Sequence, residues 1–195
     1  MNHNKVNVVD LEMLCWDVEE EEGIPEISEV GIVQIDMVSR EITRQQHFYC
    51  KVKQIGMVSD FYTELTGTPR KRLYKAQHTI SEVIDILVRK WGFGTNLWIS
   101  WGRDNTILKP EWEYDPPHLN LAALMNVMTQ PHRRLSLDAG LSLLGLEFEG
   151  RKHNAVCDAF NTARGFLKFV EGYKLKTIEG YKMLVTSDGS EQSAH

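Results

Sequence analysis

What the chain lacks narrows the field first. Its three cysteines, Cys15, Cys50 and Cys157, are far apart and form no C-x-x-C pair, so neither a disulfide framework nor a thiolate zinc site is indicated. No apolar run approaches the roughly 18 residues of a membrane span, and the opening "MNHNKVNVV" has no signal-peptide layout. These absences predict a soluble, cytoplasmic protein with reduced thiols and no membrane partner. Positive charge is not in excess either: 22 Lys and Arg stand against 27 Asp and Glu, a formal net charge of −5. That balance argues mildly against a protein that coats long nucleic acid. It leaves room for an enzyme that grips a short nucleic-acid end with cations supplying the positive charge. The chain also has no internal repeats.

What is present suits one globular domain with a sizeable core: 195 residues, 42% hydrophobic and 25% charged. Residues 5–12, "EISEVGIVQIDMV" and "QQHFYCKVK" read as three strands joined by short connections, hence an antiparallel meander. Helical patterning then takes over. "DFYTELTG" reads as a short helix closed by Gly67. "TISEVIDILVRKWG" opens on a capping box, Thr79 with Glu82, and ends at Gly92. Its apolar stripe is Ile80, Val83, Ile84, Leu87, Val88 and Trp91. "NLWISWG" reads as a strand, residues 119–128 as a helix, and "SLDAGLSLLG" and "NAVCDAFNTARGFLKFVEGY" as two more helices. Strands followed by alternating helices and a further strand predict an α/β fold with a mixed β-sheet flanked by helices.

Against this background "VVDLEM" is anomalous. Asp10 and Glu12 alternate in an apolar strand, so both point to one face. Like charges that close repel, and burying either without a partner costs roughly several kcal/mol. Two further acids stand at element boundaries: Asp104, beyond the strand ending in Trp101, and Asp158, in an otherwise apolar helix turn. Oxygen-only carboxylate clusters select hard ions such as Mg²⁺ or Mn²⁺. His153 lies five residues before Asp158. On one helix the two would be about 140° apart, so His153 is placed in the preceding loop, leaning over the same cleft. Singly, each has an ordinary reading: Asp104 as a cap or turn residue, His153 as a loop histidine. The acidic run Glu19 to Glu22 reads as a solvated loop. The basic cluster Arg70, Lys71, Arg72 and Lys75 reads as an exposed helix face.

The ordered set D-x-E, then D, then H-x-A-x-x-D resembles the DEDDh family of 3′–5′ exonucleases, with their ribonuclease-H-like fold. "VVDLEMLCW" resembles the first motif of the Eri/KapD-like branch, D-L/F-E-A-T-C-W, and "FYTELTG" its F-C-T-E-L-T-G segment. "ISWGRDNTIL" is similar to a shortened S-W-G-x-x-D motif. "LSLDAGLSLLGLEFEGRKHNAVCDAFNTARGF" matches the third motif region. There are departures: Met13-Leu14 stands where the branch has Ala-Thr, and Arg103 immediately precedes the second-motif acid.

The resemblance implies an exonuclease domain over 1–178, with 179–195 a polar tail. It implies two Mg²⁺ or Mn²⁺ ions, Asp10 bridging them, Glu12 and Asp158 completing one site and Asp104 holding the other. His153 would be the general base. Single-stranded RNA or DNA 3′ ends would be the partner, RNA slightly favoured. Leu11, Met13 and Leu14 could wedge or stack on the terminal nucleotide, and Trp101 could offer an aromatic platform; core packing is the competing reading for them. Two other function classes remain open: a nucleic-acid-binding module without turnover, and a phosphodiesterase for dinucleotides. The oligomeric state is not readable.

Overall fold

The computed structural model describes residues 4–18, 23–112, 117–129 and 134–172. The tail and the run Glu19 to Glu22 lie outside them. The expected meander is present: β1 (Lys5–Met13), β2 (Ile27–Asp36) and β3 (Glu41–Tyr49) pair antiparallel. β4 (Trp98–Ser100) pairs parallel to β1, and β5 (His118–Asn120) parallel to β4. The sheet order is β3-β2-β1-β4-β5, a mixed sheet with β1 in the middle.

Helices cover both faces. α1 (Asp60–Thr66), α2 (Arg70–Tyr74) and α3 (Ile80–Trp91) follow the meander. α4 (Asp104–Leu108) follows β4. α5 (Leu121–Thr129), α6 (Leu137–Leu143) and α7 (Ala155–Gly172) come last. α3 starts on the expected capping box and ends on Gly92 at φ 65°, a left-handed cap that glycine adopts without steric cost. Its buried stripe is Val83, Ile84, Leu87 and Trp91. Val88 lies at the margin of that stripe and is 41% exposed, a correction to the sequence reading.

Alternation along β1 divides the core. Val9 and Leu11 face the cluster built with Val30, Ile32 and the α3 stripe. Val6 and Val8 face the opposite cluster, with Val33, Ile35, Ile99 and Ala159, Ala163 and Phe166 of α7. Asp10 and Glu12 continue the second series, so they point to the α7 side. β2 is buried over nine consecutive residues rather than alternately, because it lies between two strands and under helices on both faces. The segment expected as a helix near 119–128 begins as β5. Three residues carry no periodicity of their own, and only pairing with β4 makes them a strand.

Candidate active site

The register of the sheet builds the site. Asp10 pairs with Gly31 of β2, and Glu12 with Glu29. A Cβ on Gly31 would come within 2.0 Å of the Ala155 carbonyl oxygen, so the first turn of α7 rests directly on the β2 backbone. Any side chain there would hold α7 away from the sheet. That close approach brings the Asp158 carboxylate over β1.

The loop before α7 is tied down on both sides. Arg151 donates to the Glu64 carbonyl at 2.6 Å, at the end of α1, and Lys152 pairs with Asp138 of α6. His153 takes φ 57°, and its backbone N–H donates to Asp158 Oδ2 at 3.0 Å. The Asp158 N–H in turn donates to the Asn154 carbonyl at 2.9 Å. The result is the expected arrangement: His153 is exposed, in a loop, above the first turn that carries Asp158. Ligand-capable atoms of Glu12, His153 and Asp158 all lie within 4.8 Å of one another.

Asp104 arrives from the other side. β4 runs parallel to β1 with Asn7 beside Trp98 and Val8 beside Ile99, so the chain leaves β4 next to Asp10. Asp104 then opens α4 and is 6% exposed. Burial pushes its carboxyl up, against the opposing pull of the Ser100 hydroxyl and the backbone N–H groups of Asp104, Leu11 and Gly102. It lies outside the tight group formed by Glu12, His153 and Asp158, as does Asp10, yet it acts on both β1 acids electrostatically.

The four carboxylates share one unfavourable field. Burial raises Asp10 well above the usual carboxylate range, and Asp104, Asp158, Glu12 and Glu29 raise it further. Glu12 is pushed up to about 8 by burial, then by Asp158, Glu29 and Asp104. Asp158 is raised to about 7, chiefly by burial, although the His153 N–H opposes the shift. Among the described residues no ion pair neutralises any of the four. An oxygen-rich cleft of mutually repelling carboxylates has the donor chemistry of a hard divalent cation site.

The exonuclease family profile matches residues 8–166. The chain belongs to the DEDDh exonuclease family. Among its relatives is mouse ERI1 exoribonuclease 2, 27% identical over an alignment of 214 positions that covers 92% of this chain and 30% of that protein. The chain therefore spans about a third of that relative's length. The nuclease domain of 3′hExo, a DEDDh family member solved bound to rAMP, superposes with a TM-score of 0.77 at 20% identity. The match covers 88% of this chain and 94% of that one. A 3′-exonuclease solved in specific recognition of the histone mRNA stem-loop gives 0.75 at 21% identity, over 87% and 83% of the two chains. At these identities the structures establish a shared ribonuclease-H-like fold. DEDDh exonucleases use divalent metal ions, and the carboxylate cleft fits that requirement.

Within this DEDDh domain the expected substrate-binding residues divide. Leu11 belongs to the α3-side core. Leu14 is 1% exposed, packed with Val58, Tyr62 and Leu73. Trp101 is 7% exposed, its Nε1 donating to the Leu135 carbonyl at 3.1 Å. A Cβ on Gly140 would lie 2.1 Å from the Trp101 ring, so that ring is packed flush on α6 and offers no open stacking face. These three are core groups, a correction to the wedge and platform roles. Met13 alone of the set keeps partial exposure.

The sequence reading missed Glu29. Its side chain is fully buried, 2.7 Å from His47 Nε2 and 2.9 Å from the Tyr62 hydroxyl. It stands directly across from Glu12. The signal was available: "EISEVGIVQID" places a carboxylate inside an apolar strand, as "VVDLEM" does. Gly31 and Asn154 were also missed, because nothing local marks the approach of a helix distant in sequence.

Proposed function

We propose that this chain hydrolyses the 3′-terminal phosphodiester bond of single-stranded nucleic acid, RNA ahead of DNA, releasing nucleoside 5′-monophosphates. The observation that carries the reading is the cleft where Asp10, Glu12, Asp104 and Asp158 act on one another, with no ion pair to any of them among the described residues and His153 exposed at its rim. Asp10, Glu12, Asp104 and Asp158 would hold two Mg²⁺ or Mn²⁺ ions. Such ions, when bound, lower the pKa of a coordinated water and stabilise charge on the attacking and leaving oxygens of an in-line displacement.

The chain's own residues account for the rest. His153, free to reach outward from its loop, accepts the proton of the attacking water. Its backbone N–H meanwhile holds the Asp158 carboxylate in place. The water oxygen bonds to phosphorus and the 3′ oxygen of the preceding nucleotide departs, taking up a proton to leave a new 3′ hydroxyl. Partly exposed Met13 contacts the terminal nucleotide. The preference for RNA is supported by relatives named for exoribonuclease activity and histone mRNA recognition. A cytoplasmic setting accords with three cysteines that form no disulfide. Among the described residues no helix is long and apolar enough to cross a membrane.

The test incubates 5′-labelled single-stranded RNA, single-stranded DNA and dinucleotides with Mg²⁺ or Mn²⁺. Wild type is expected to shorten the strands stepwise, Asp10→Ala to abolish this, and His153→Ala to slow it by about 10²–10⁴-fold. Undiminished activity in both variants sinks the mechanism. Attack on dinucleotides alone would make the chain a dinucleotide phosphodiesterase instead. Binding without cleavage in either metal would make it a non-catalytic module.

A further inference from the structure

The basic cluster that reads from sequence as an exposed helix face forms one wall of a cavity. The space, about 460 Å³, lies between β3, an outer strand of the sheet, and the segment from α2 to His78. His47 and Tyr49 line it from the strand; Lys71, Arg72, Lys75 and His78 line it from the other side. Among the described residues no carboxylate lines it. In a chain of net charge −5, this is a local reversal of sign. Lys71 and Lys75 make no ion pair among the described residues. Their i, i+4 spacing puts both ammonium groups on one side, where they repel each other until an anion arrives.

The strand wall is aromatic. The His47 and Tyr49 rings have centroids 4.3 Å apart, and the Arg72 guanidinium lies 5.1 Å from the centre of the Tyr49 ring. Cations beside ring faces are the combination that binds single-stranded nucleic acid, phosphates to the cations and bases to the rings.

The cavity also adjoins the carboxylate cleft. Tyr49 pairs with Glu29, and Glu29 with Glu12, on three adjacent strands. Two strand spacings separate the Tyr49 and Glu12 backbones, about 10 Å. His47 is hydrogen-bonded to Glu29, and Tyr49 lies within electrostatic reach of Cys157, next to Asp158. A strand whose 3′ end rests at the carboxylates passes this wall within a few nucleotides.

We propose that this cavity binds the sugar–phosphate backbone of the substrate strand upstream of the cleaved end. Lys71, Lys75 and Arg72 take the phosphates, and the Tyr49 and His47 rings support a base. The inference rests on the exonuclease reading for the direction of the strand. It predicts that affinity depends on strand length, because a dinucleotide at the carboxylates does not reach α2.

The experiment measures binding of a fluorescent single-stranded RNA of about 12 nucleotides by anisotropy across a salt series. Ca²⁺ replaces Mg²⁺, since its looser coordination serves in-line displacement poorly. Lys71→Ala/Lys75→Ala is expected to raise Kd about tenfold and to reduce the log–log salt slope by about 1.4, two phosphate contacts at about 0.7 each. Arg89→Ala/Lys90→Ala, equally charge-depleted on exposed α3 positions, is expected to bind as wild type. In Mg²⁺ the first variant should raise KM for the strand and leave dinucleotide cleavage unchanged. Wild-type affinity and salt slope in Lys71→Ala/Lys75→Ala, or an equal loss in the control, overturns the proposal. Cleavage by wild type with undiminished binding by the variant removes the cavity and leaves the nuclease. Binding lost in the variant while wild type cuts nothing in Mg²⁺ or Mn²⁺ does the reverse.

Discussion

Gly31 illustrates how much of this site depends on one missing side chain. It pairs with Asp10 and lies under the Ala155 carbonyl, so an added methyl group has no room unless strand and helix part. Gly31→Ala is expected to destabilise the protein by about 1–3 kcal/mol, the usual penalty of overpacking. It should also cut activity, because Asp158 moves with α7. A lowered urea midpoint together with reduced strand shortening checks both; an unchanged midpoint would mean that α7 does not press on β2. At this scale Asp10 and Glu12 were legible because a charged pair on an apolar strand breaks the expectation that strand cores are apolar. Glu29 broke the same rule, and only the paired register showed that it faces Glu12. Its carboxylate is held by Tyr62 and His47, residues 33 and 18 positions away, a distance no local pattern spans.

At the scale of elements, legibility followed length. α3 was readable end to end, since its cap, stripe and terminal glycine all agree. The Thr79 side chain accepts from the Glu82 N–H and the Glu82 side chain accepts from the Thr79 N–H. Thr79→Ala should therefore cost about 0.5–2 kcal/mol, seen as a lower thermal midpoint. Activity at room temperature should hold, because α3 packs on the sheet face opposite the carboxylates. A loss of activity at unchanged stability would contradict that separation. α4, at five residues, and β5, at three, had no such signature. From sequence Trp101, at a strand end, reads as either an aromatic platform or a core group; α6 closes over it at Gly140. Whether an aromatic at an element's end is a platform or a core group depends on what packs there.

For the whole molecule the raised carboxyls set a dependence on pH and metal. Unfolded, these acids titrate near 4; folded, Asp158 titrates at about 7, Glu12 at about 8, and Asp10 well above its ordinary range. Between those limits the unfolded chain has released protons that the folded one keeps, so stability falls as pH rises. The metal-free protein should accordingly melt several degrees lower at pH 8.5 than at pH 6 in chelator. Mn²⁺ should raise the midpoint more at pH 8.5, where the ligands are ionised and binding to the folded state stabilises it. Glu12→Gln should flatten the pH dependence. A midpoint independent of pH and of Mn²⁺ would show that the carboxylates are not strained by one another. The sequence by itself determined the acids, the histidine, the order in which they occur and the helices long enough to show a period. Those follow from local rules of burial, spacing and capping. Only the tertiary structure decided that Leu11, Leu14 and Trp101 are core, that Glu29 joins the acidic field, and that the basic cluster borders a cavity. Each of these depends on which distant segment lies opposite, and that is set by sheet register and helix packing.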